Sequence, residues 1–212
     1  NWILSAEKAP IEQPKMSGFK SGLDHFGLLA PVYEHFIPPL APEALAALVD
    51  LLPGGALLDA GGGTGRVAQF FNGRAGLTVV ADESIKMLLQ AQKKPALQPL
   101  CTHTEHLPFP SAFFDRIIMV DALHHLTHQA QSAAELWRLL KPGGRLVIEE
   151  PDVRRFAVKI LALAEKLALM RSHFLVPEQI IRLFPVFEAR VEVRNSGLTA
   201  WVIVEKADFS PE

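Results

Sequence analysis

The stretch from Leu57 to Phe71, LLDAGGGTGRVAQFF, runs an apolar strand into an acid, Asp59, then a glycine-rich turn and a helical pattern. Glycines there take positive φ without a Cβ clash and let the backbone come close to a ligand. Gly61, Gly63 and Gly65 are spaced G-x-G-x-G, whereas the nicotinamide and flavin fingerprint is G-x-G-x-x-G and its third glycine falls here on Arg66. That spacing argues against a dinucleotide. No Lys-Ser or Lys-Thr follows the turn, so the loop that cradles nucleotide triphosphates is missing as well. About twenty residues on, Asp82 ends the next apolar run, where a carboxylate can accept both hydroxyls of a ribose. Turn and acid together read as a site for adenosine without pyrophosphate.

Histidines form the second group with chemical potential. His124, His125 and His128 follow the fourth apolar run, and His103 and His106 share a loop. A zinc site wants three or four converging ligands, usually with cysteine or a paired acid. The single cysteine, Cys101, lies within an apolar run, where it packs as a small hydrophobe, so no metal site is expected. His124 and His125 fall at the carboxyl edge of the sheet, where open α/β folds bind ligands. They are the first candidates for a general base or a substrate-positioning role, against a plainer reading as histidines packed at a helix start. Glu149 and Glu150, ending the fifth strand, are the runners-up.

These residues need a frame, and the hydrophobic periodicity describes one. From about Ala41 onward, short aliphatic runs bounded by glycine alternate with stretches of helical spacing, the pattern of a parallel sheet with crossover helices. Strands are predicted near Ala56 to Ala60, Leu77 to Ala81, Gln98 to Thr102, Phe114 to Val120, Arg145 to Glu149, Phe187 to Arg194 and Thr199 to Lys206. Helices are predicted over Leu45 to Leu52, Arg66 to Asn72, Ile85 to Lys93 and Ala130 to Leu140. Asn195, Ser196 and Gly197 are too few for a crossover, so the last two strands must form an antiparallel hairpin. The fold class is therefore α/β: a Rossmann-like, doubly wound, seven-stranded sheet of five parallel strands and a C-terminal hairpin, with helical cap elements. The expected organisation is an N-terminal tail over 1–22 and a single domain over 23–212. A helical cap insert at about 153–184 comprises a long helix from Val153 to Phe174 and another from Pro177 to Phe184.

Composition agrees. A chain of 212 residues, 49% hydrophobic, suits one domain with a cap. Its 21 basic and 23 acidic side chains give a net charge of −2, without the overall pull towards nucleic acid or an anionic membrane that a strongly basic protein has. Small, roughly neutral partners are favoured. No apolar run reaches the length of a membrane span. One cysteine and the lack of a basic-then-apolar leader point to a reducing, cytoplasmic setting. The chain begins at Asn1, and Met16 is a candidate internal start.

With the glycine turn, the segments VVADESIKML, Leu107-Pro108-Phe109, Phe114-Asp115 and LLKPGGRLVIEEP fall in the order of the class I S-adenosylmethionine-dependent methyltransferases, which the chain resembles from Tyr33 to about Lys206. FGLLAPVYEHF and the LPF and KPGG segments are most similar to the ubiquinone/menaquinone C-methyltransferase-related (methyltransferase type 11) branch. The resemblance implies S-adenosylmethionine as cofactor, S-adenosylhomocysteine as product, and methyl transfer to a small, apolar or aromatic acceptor by in-line displacement. It implies that Asp59, Ala60, Gly61, Gly63 and Gly65 line the methionine part of the cofactor, and that Asp82 binds the ribose with Glu83, Ser84 and Met87 around the adenosine. His103, Thr104 and Glu105 match the adenine-contacting segment, though the family commonly carries an aspartate where this chain has His103. Asp121 and Ala122 match positions at the methionine end that open towards the acceptor, and Tyr33 matches the tyrosine of the lid helix.

The alternative is a non-catalytic S-adenosylmethionine-binding or partner-regulating protein of the same fold. The wide apolar face of the insert suits packing on the sheet, a lid over a lipophilic acceptor, or a homodimer interface.

Overall fold

A computed structural model of the chain describes residues 42–156, 158–159, 172–185 and 187–208. Tyr33, the tail and most of the long cap helix lie outside these residues. Helix α1 spans Pro42–Val49, β1 Ala56–Ala60, β2 Leu77–Asp82, α2 Ile85–Ala91, β3 Leu97–Cys101, β4 Phe114–Val120, α3 Gln129–Leu139, β5 Leu140–Pro151, α4 Pro177–Ile181, β6 Ala189–Ser196 and β7 Thr199–Lys206. The sheet order is β3-β2-β1-β4-β5-β7-β6. Strands β1 to β5 pair in parallel, and β7 runs antiparallel to both β5 and β6.

Both faces of the sheet are covered, as the near-continuous apolar runs of its central strands require. On one face Leu58, Ile117, Met119, Leu146 and Ile148 pack with Ala133, Leu136 and Leu139 of α3. On the other, their chain neighbours Leu57, Ile118, Val120 and Val147 pack with Leu45, Leu48 and Val49 of α1. Alternating side chains thus feed two apolar layers from one set of strands. Phe109, Phe113 and Phe114 cluster at one end, with ring centroids 4.9–5.2 Å apart. Buried Arg116 crosses from β4 to the C-terminus of α1 and donates through Nε to the carbonyls of Val49 (2.8 Å) and Asp50 (2.9 Å). This satisfies carbonyls the helix leaves without an internal partner.

Several local expectations change, among them that α1 ends at Val49 instead of Leu52, α4 at Ile181 instead of Phe184, and β6 begins at Ala189 instead of Phe187. The helix predicted over Arg66 to Asn72 is only a short 3-10 helix, Ala68–Phe71, preceded by turns. Gly65, at φ +69, sits so close to Leu97 and Ala91 that the chain turns tightly before any α-helix begins. Strand β5 begins at Leu140 instead of Arg145: its register against β4 shifts between Phe114 and Arg116, taking up the extra residues of the KPGG segment. The hairpin is also tighter than expected, because Ser196 already pairs with Thr199 and only Gly197, at φ +59, and Leu198 remain in the loop.

Candidate functional site

The connections that leave β1 and β4 diverge to opposite sides of the sheet, which makes the carboxyl ends of these two neighbours the switch point, the usual ligand crevice of an open α/β fold. The glycine turn after β1 is fastened there. Gly61 and Gly62 both donate to the carbonyl of Ala81, at 2.8 and 3.2 Å, and Lys94 Nζ reaches the Thr64 carbonyl at 2.8 Å. A Cβ on Gly61 would stand 2.7 Å from the Ala122 methyl, so the turns after β1 and β4 touch. A Cβ on Gly62 would lie 2.5 Å from the carboxyl carbon of Asp59, so this backbone rests directly on the acid.

Asp59 is 1% exposed, and its Oδ2 has no hydrogen-bond partner among the described residues. Burial, opposed by Arg66 and assisted by Asp82, pushes its pKa up to about 7. Such an atom awaits a donor, since a buried acceptor without one costs about 1–3 kcal/mol. The second acid is more fully engaged. Asp82 accepts the Gly63 N–H at Oδ2 (2.9 Å) and the Ser84 N–H at Oδ1 (2.8 Å). A carboxylate has about four lone-pair sites, so capacity for hydroxyl donors remains. Ser84 caps α2 through the Met87 N–H (3.4 Å), and the Met87 Cε faces Gly63. Glu83 Oε2 and His103 Nδ1 approach to 3.2 Å at the surface, while Thr104 is buried and Glu105 half-buried in the same loop. Ala60, Gly61, Gly63, Gly65, Asp82 and Met87 are thus brought together around the turn.

Past β4 the chain bends sharply. Asp121 takes φ +51 although it is not glycine, its N–H bonded to the Glu149 carbonyl at 2.9 Å. The Arg66 guanidinium reaches its Oδ2 at 2.7 Å, linking the glycine turn to the β4 turn. Non-glycine residues held at positive φ cluster at functional sites, where the surroundings impose the strain. In the sequence Arg66 stands out only as the residue that breaks a fingerprint, and nothing in the spacing ties it to an acid 55 residues away.

Glu149 and Glu150 are consecutive on β5 and so point to opposite faces. Glu149 accepts the Trp201 indole N–H at 2.7 Å, and burial foremost raises its pKa. Glu150 turns to the histidines. Its Oε1 accepts the N–H groups of Ala122 (3.1 Å) and Leu123 (2.8 Å), and its Oε2 meets His124 Nδ1 at 2.5 Å. His124 stacks on Phe174, with centroids 4.3 Å apart and planes 12° apart, and lies against His125 at 4.0 Å. Burial and, after it, His124 push the His125 pKa down to about 3. Among the described residues, no helix is long and apolar enough to cross a membrane.

Comparison with known proteins places this geometry. Residues 58–148 match the family model of the methyltransferase domain. Over 109 residues the chain is 36% identical to the ubiquinone/menaquinone biosynthesis C-methyltransferase UbiE of Ralstonia nicotianae, covering 46% of this chain and 44% of that protein. Over 106 residues it is 38% identical to the UbiE of Bordetella parapertussis, covering 46% and 41%. The matched segment spans less than half the length of either relative. In structure, an S-adenosylmethionine-dependent methyltransferase of Thermotoga maritima superposes with a TM-score of 0.70 at 21% identity, covering 85% of this chain and 97% of that one. One of Aquifex aeolicus gives 0.65 at 17% identity, covering 89% and 100%. The seven-stranded sheet with its glycine turn at the switch point is the class I methyltransferase fold. Residues 58–148, less than half of the chain, are thus similar to the methyltransferase domain family, and a segment of about the same length is similar to the ubiquinone/menaquinone C-methyltransferases.

Proposed function

We propose that this chain transfers the methyl group of S-adenosylmethionine to a small apolar or aromatic acceptor, with S-adenosylhomocysteine as product. One observation supports this above others: a buried carboxylate oxygen of Asp59, unpartnered among the described residues, directly beneath the glycine turn. The acceptor oxygen fits the ammonium of the methionine part, and the tightly held turn lets a ligand approach the backbone. The residues therefore suit the cofactor. When bound, it supplies a methyl on a sulfonium whose positive charge disperses in the transition state.

Asp59, Ala60, Gly61, Gly63 and Gly65 would hold the methionine end, and Asp82, Glu83 and Met87 the ribose and adenosine. His103, Thr104 and Glu105 would border the adenine. Asp121 and Ala122 would face the reacting end, with Tyr33 closing from the lid. A carboxylate tight on the sulfur would favour the ground state, so differential binding directs the protein instead to align the acceptor and exclude water. Proximity of this kind can supply about 7–11 kcal/mol. A hydroxyl or activated-carbon acceptor must also lose a proton, and His124 or His125 would take it. In this reading 23–212 form one methyltransferase domain after a tail at 1–22, with the cap insert at about 153–184 as lid or homodimer contact. The setting is cytoplasmic and the partner a small molecule, not nucleic acid.

Labelled methyl transfer from S-adenosylmethionine to a panel of phenols, hydroquinones and aromatic amines tests the reading. A labelled product supports it. Tight cofactor binding without turnover on any of them would favour the non-catalytic alternative.

A further inference from the structure

Strand β6 closes one end of the sheet order, and among the described residues no strand pairs with its outer edge. Its side chains divide by face. Ala189, Val191 and Val193 are half-buried and pack against the apolar layer that α3 covers, whereas Glu188, Arg190, Glu192 and Arg194 are exposed. Charges on an edge commonly deter pairing with another chain. Here their signs alternate, and Glu-Ala-Arg-Val-Glu-Val-Arg over 188–194 is its own charge complement when read backwards about Val191. We infer that β6 is a self-recognition edge: two copies of this chain pair antiparallel through β6 about a twofold axis at Val191, joining their sheets into one. This interface is independent of the methyl-transfer reading and lies apart from the cap insert, three strands beyond β4 in the sheet.

The backbone groups suit that register. Strands β6 and β7 stay in step from Ala189 opposite Lys206 to Ser196 opposite Thr199, and the Ala207 N–H donates to the Glu188 carbonyl at 2.8 Å. Hydrogen-bonded pairs alternate along an antiparallel ladder, so Arg190, Glu192, Arg194 and Ser196 also turn their peptide groups towards β7. The N–H and C=O groups of Ala189, Val191 and Val193 therefore point outwards. A twofold axis at Val191 sets this residue opposite its own copy and Ala189 opposite Val193, so the outward groups of one strand meet those of the other. The same register sets Arg190 opposite Glu192 and Glu188 opposite Arg194, each pair occurring twice across the axis, and opposite charges directly across a ladder stabilise it. Shifting the axis by one residue destroys the match. About Arg190, the arginine meets itself and Glu188 meets Glu192; about Glu192, the glutamate meets itself and Arg190 meets Arg194. The charges also keep surface for a partner: Arg190 is 87% exposed and comes only within 3.9 Å of Glu205, while Arg194 and Glu192, paired along the strand, are 57% and 53% exposed. On the other face, a second copy would cover the apolar surface that Val191 and Val193 still show to water.

Sedimentation velocity and light scattering of the full chain test this. The wild type should be a dimer, and Arg190→Glu or Glu192→Arg alone should weaken it by about tenfold or more, because each reversal makes both copies of the Arg190–Glu192 pair like-charged. Mixing these two variants should restore association, since acid again faces base at both places. Val191→Pro removes an outward N–H at the axis and none from the β7 ladder, a position where an edge strand tolerates proline. It should abolish the dimer while keeping the circular dichroism and cooperative melting of the wild type; if that variant does not fold, the charge reversals decide. A monomeric wild type at submillimolar concentration overturns the inference. So does a dimer that none of these variants weakens, or one that the single reversals weaken without recovery on mixing.

Discussion

Asp59 sets the sharpest residue-scale expectations. The pKa of its carboxyl group, about 7, is raised above the ordinary 3.8, so between these values the folded state holds a proton that the unfolded chain has released. Its contribution to stability is full below about pH 4 and is lost as pH rises through about 7. Asp59→Asn should therefore stabilise the protein more at pH 8 than at pH 5, by a few kcal/mol at most, as thermal unfolding at the two values will show. A cationic ligand on this oxygen favours the ionised form, so S-adenosylmethionine should bind with release of a proton near pH 6.5. Calorimetry in buffers of different ionisation enthalpy measures that proton, and Asp59→Asn should abolish its release. His125 works in the other direction. Its depressed pKa means that its contribution is present above the unfolded value of 6.5 and is lost as pH falls towards about 3. His125→Gln should flatten that acid-side loss in a denaturant midpoint followed against pH. Gly62→Ala drives a methyl into the Asp59 carboxylate, and should reduce cofactor affinity at least tenfold in a direct titration, while a surface glycine such as Gly73 tolerates alanine better for contact, having nothing described within 4 Å of its Cβ.

At the scale of elements, α3 depends on its inward face. Ser132, Ala133, Leu136 and Leu139 are buried on one stripe of an 11-residue helix whose other positions include Gln129, Gln131, Glu135 and Arg138. Leu136→Ala should cost about 2–5 kcal/mol, the usual range for an aliphatic side chain truncated in a core, read from urea unfolding. The same helix holds the LPF segment: Glu135 accepts the Leu107 N–H at 2.8 Å and Arg138 reaches the Phe109 carbonyl at 3.0 Å. Periodicity made most of these elements legible, because both apolar layers are written in alternating residues of β1, β4 and β5. It failed at Arg66 to Asn72, where helical spacing of Val67, Ala68 and Phe71 is met by a 3-10 turn, since the glycines ahead place the chain too close to β3 for an α-helical start. It also left β5 five residues short at its start, because Pro142, Gly143 and Gly144 look like a loop in the sequence although the strand pairing resumes across them.

Across the whole molecule, the strand order brings residues from widely separated segments to one edge. The glycine turn and Asp82 could be read from spacing, since both lie in one β-α-β unit. The connections among Arg66, Asp121, Glu150 and His124 could not, because they are made only when β4 and β5 are laid beside β1. The adjacent Glu149 and Glu150 did carry a usable signal: in a strand they must face opposite ways, one to Trp201 and one to the histidines. The central claim is that this edge binds S-adenosylmethionine through Asp59 and Asp82. Calorimetric titration of the ligand-free protein with S-adenosylhomocysteine at pH 8, for wild type and Asp82→Asn, tests it most directly. The prediction is micromolar binding by the wild type, weakened in the variant by about 1.5–3 kcal/mol, the usual loss of hydrogen bonds to a charged group. No binding by the wild type, or equal affinity in the two, would contradict it.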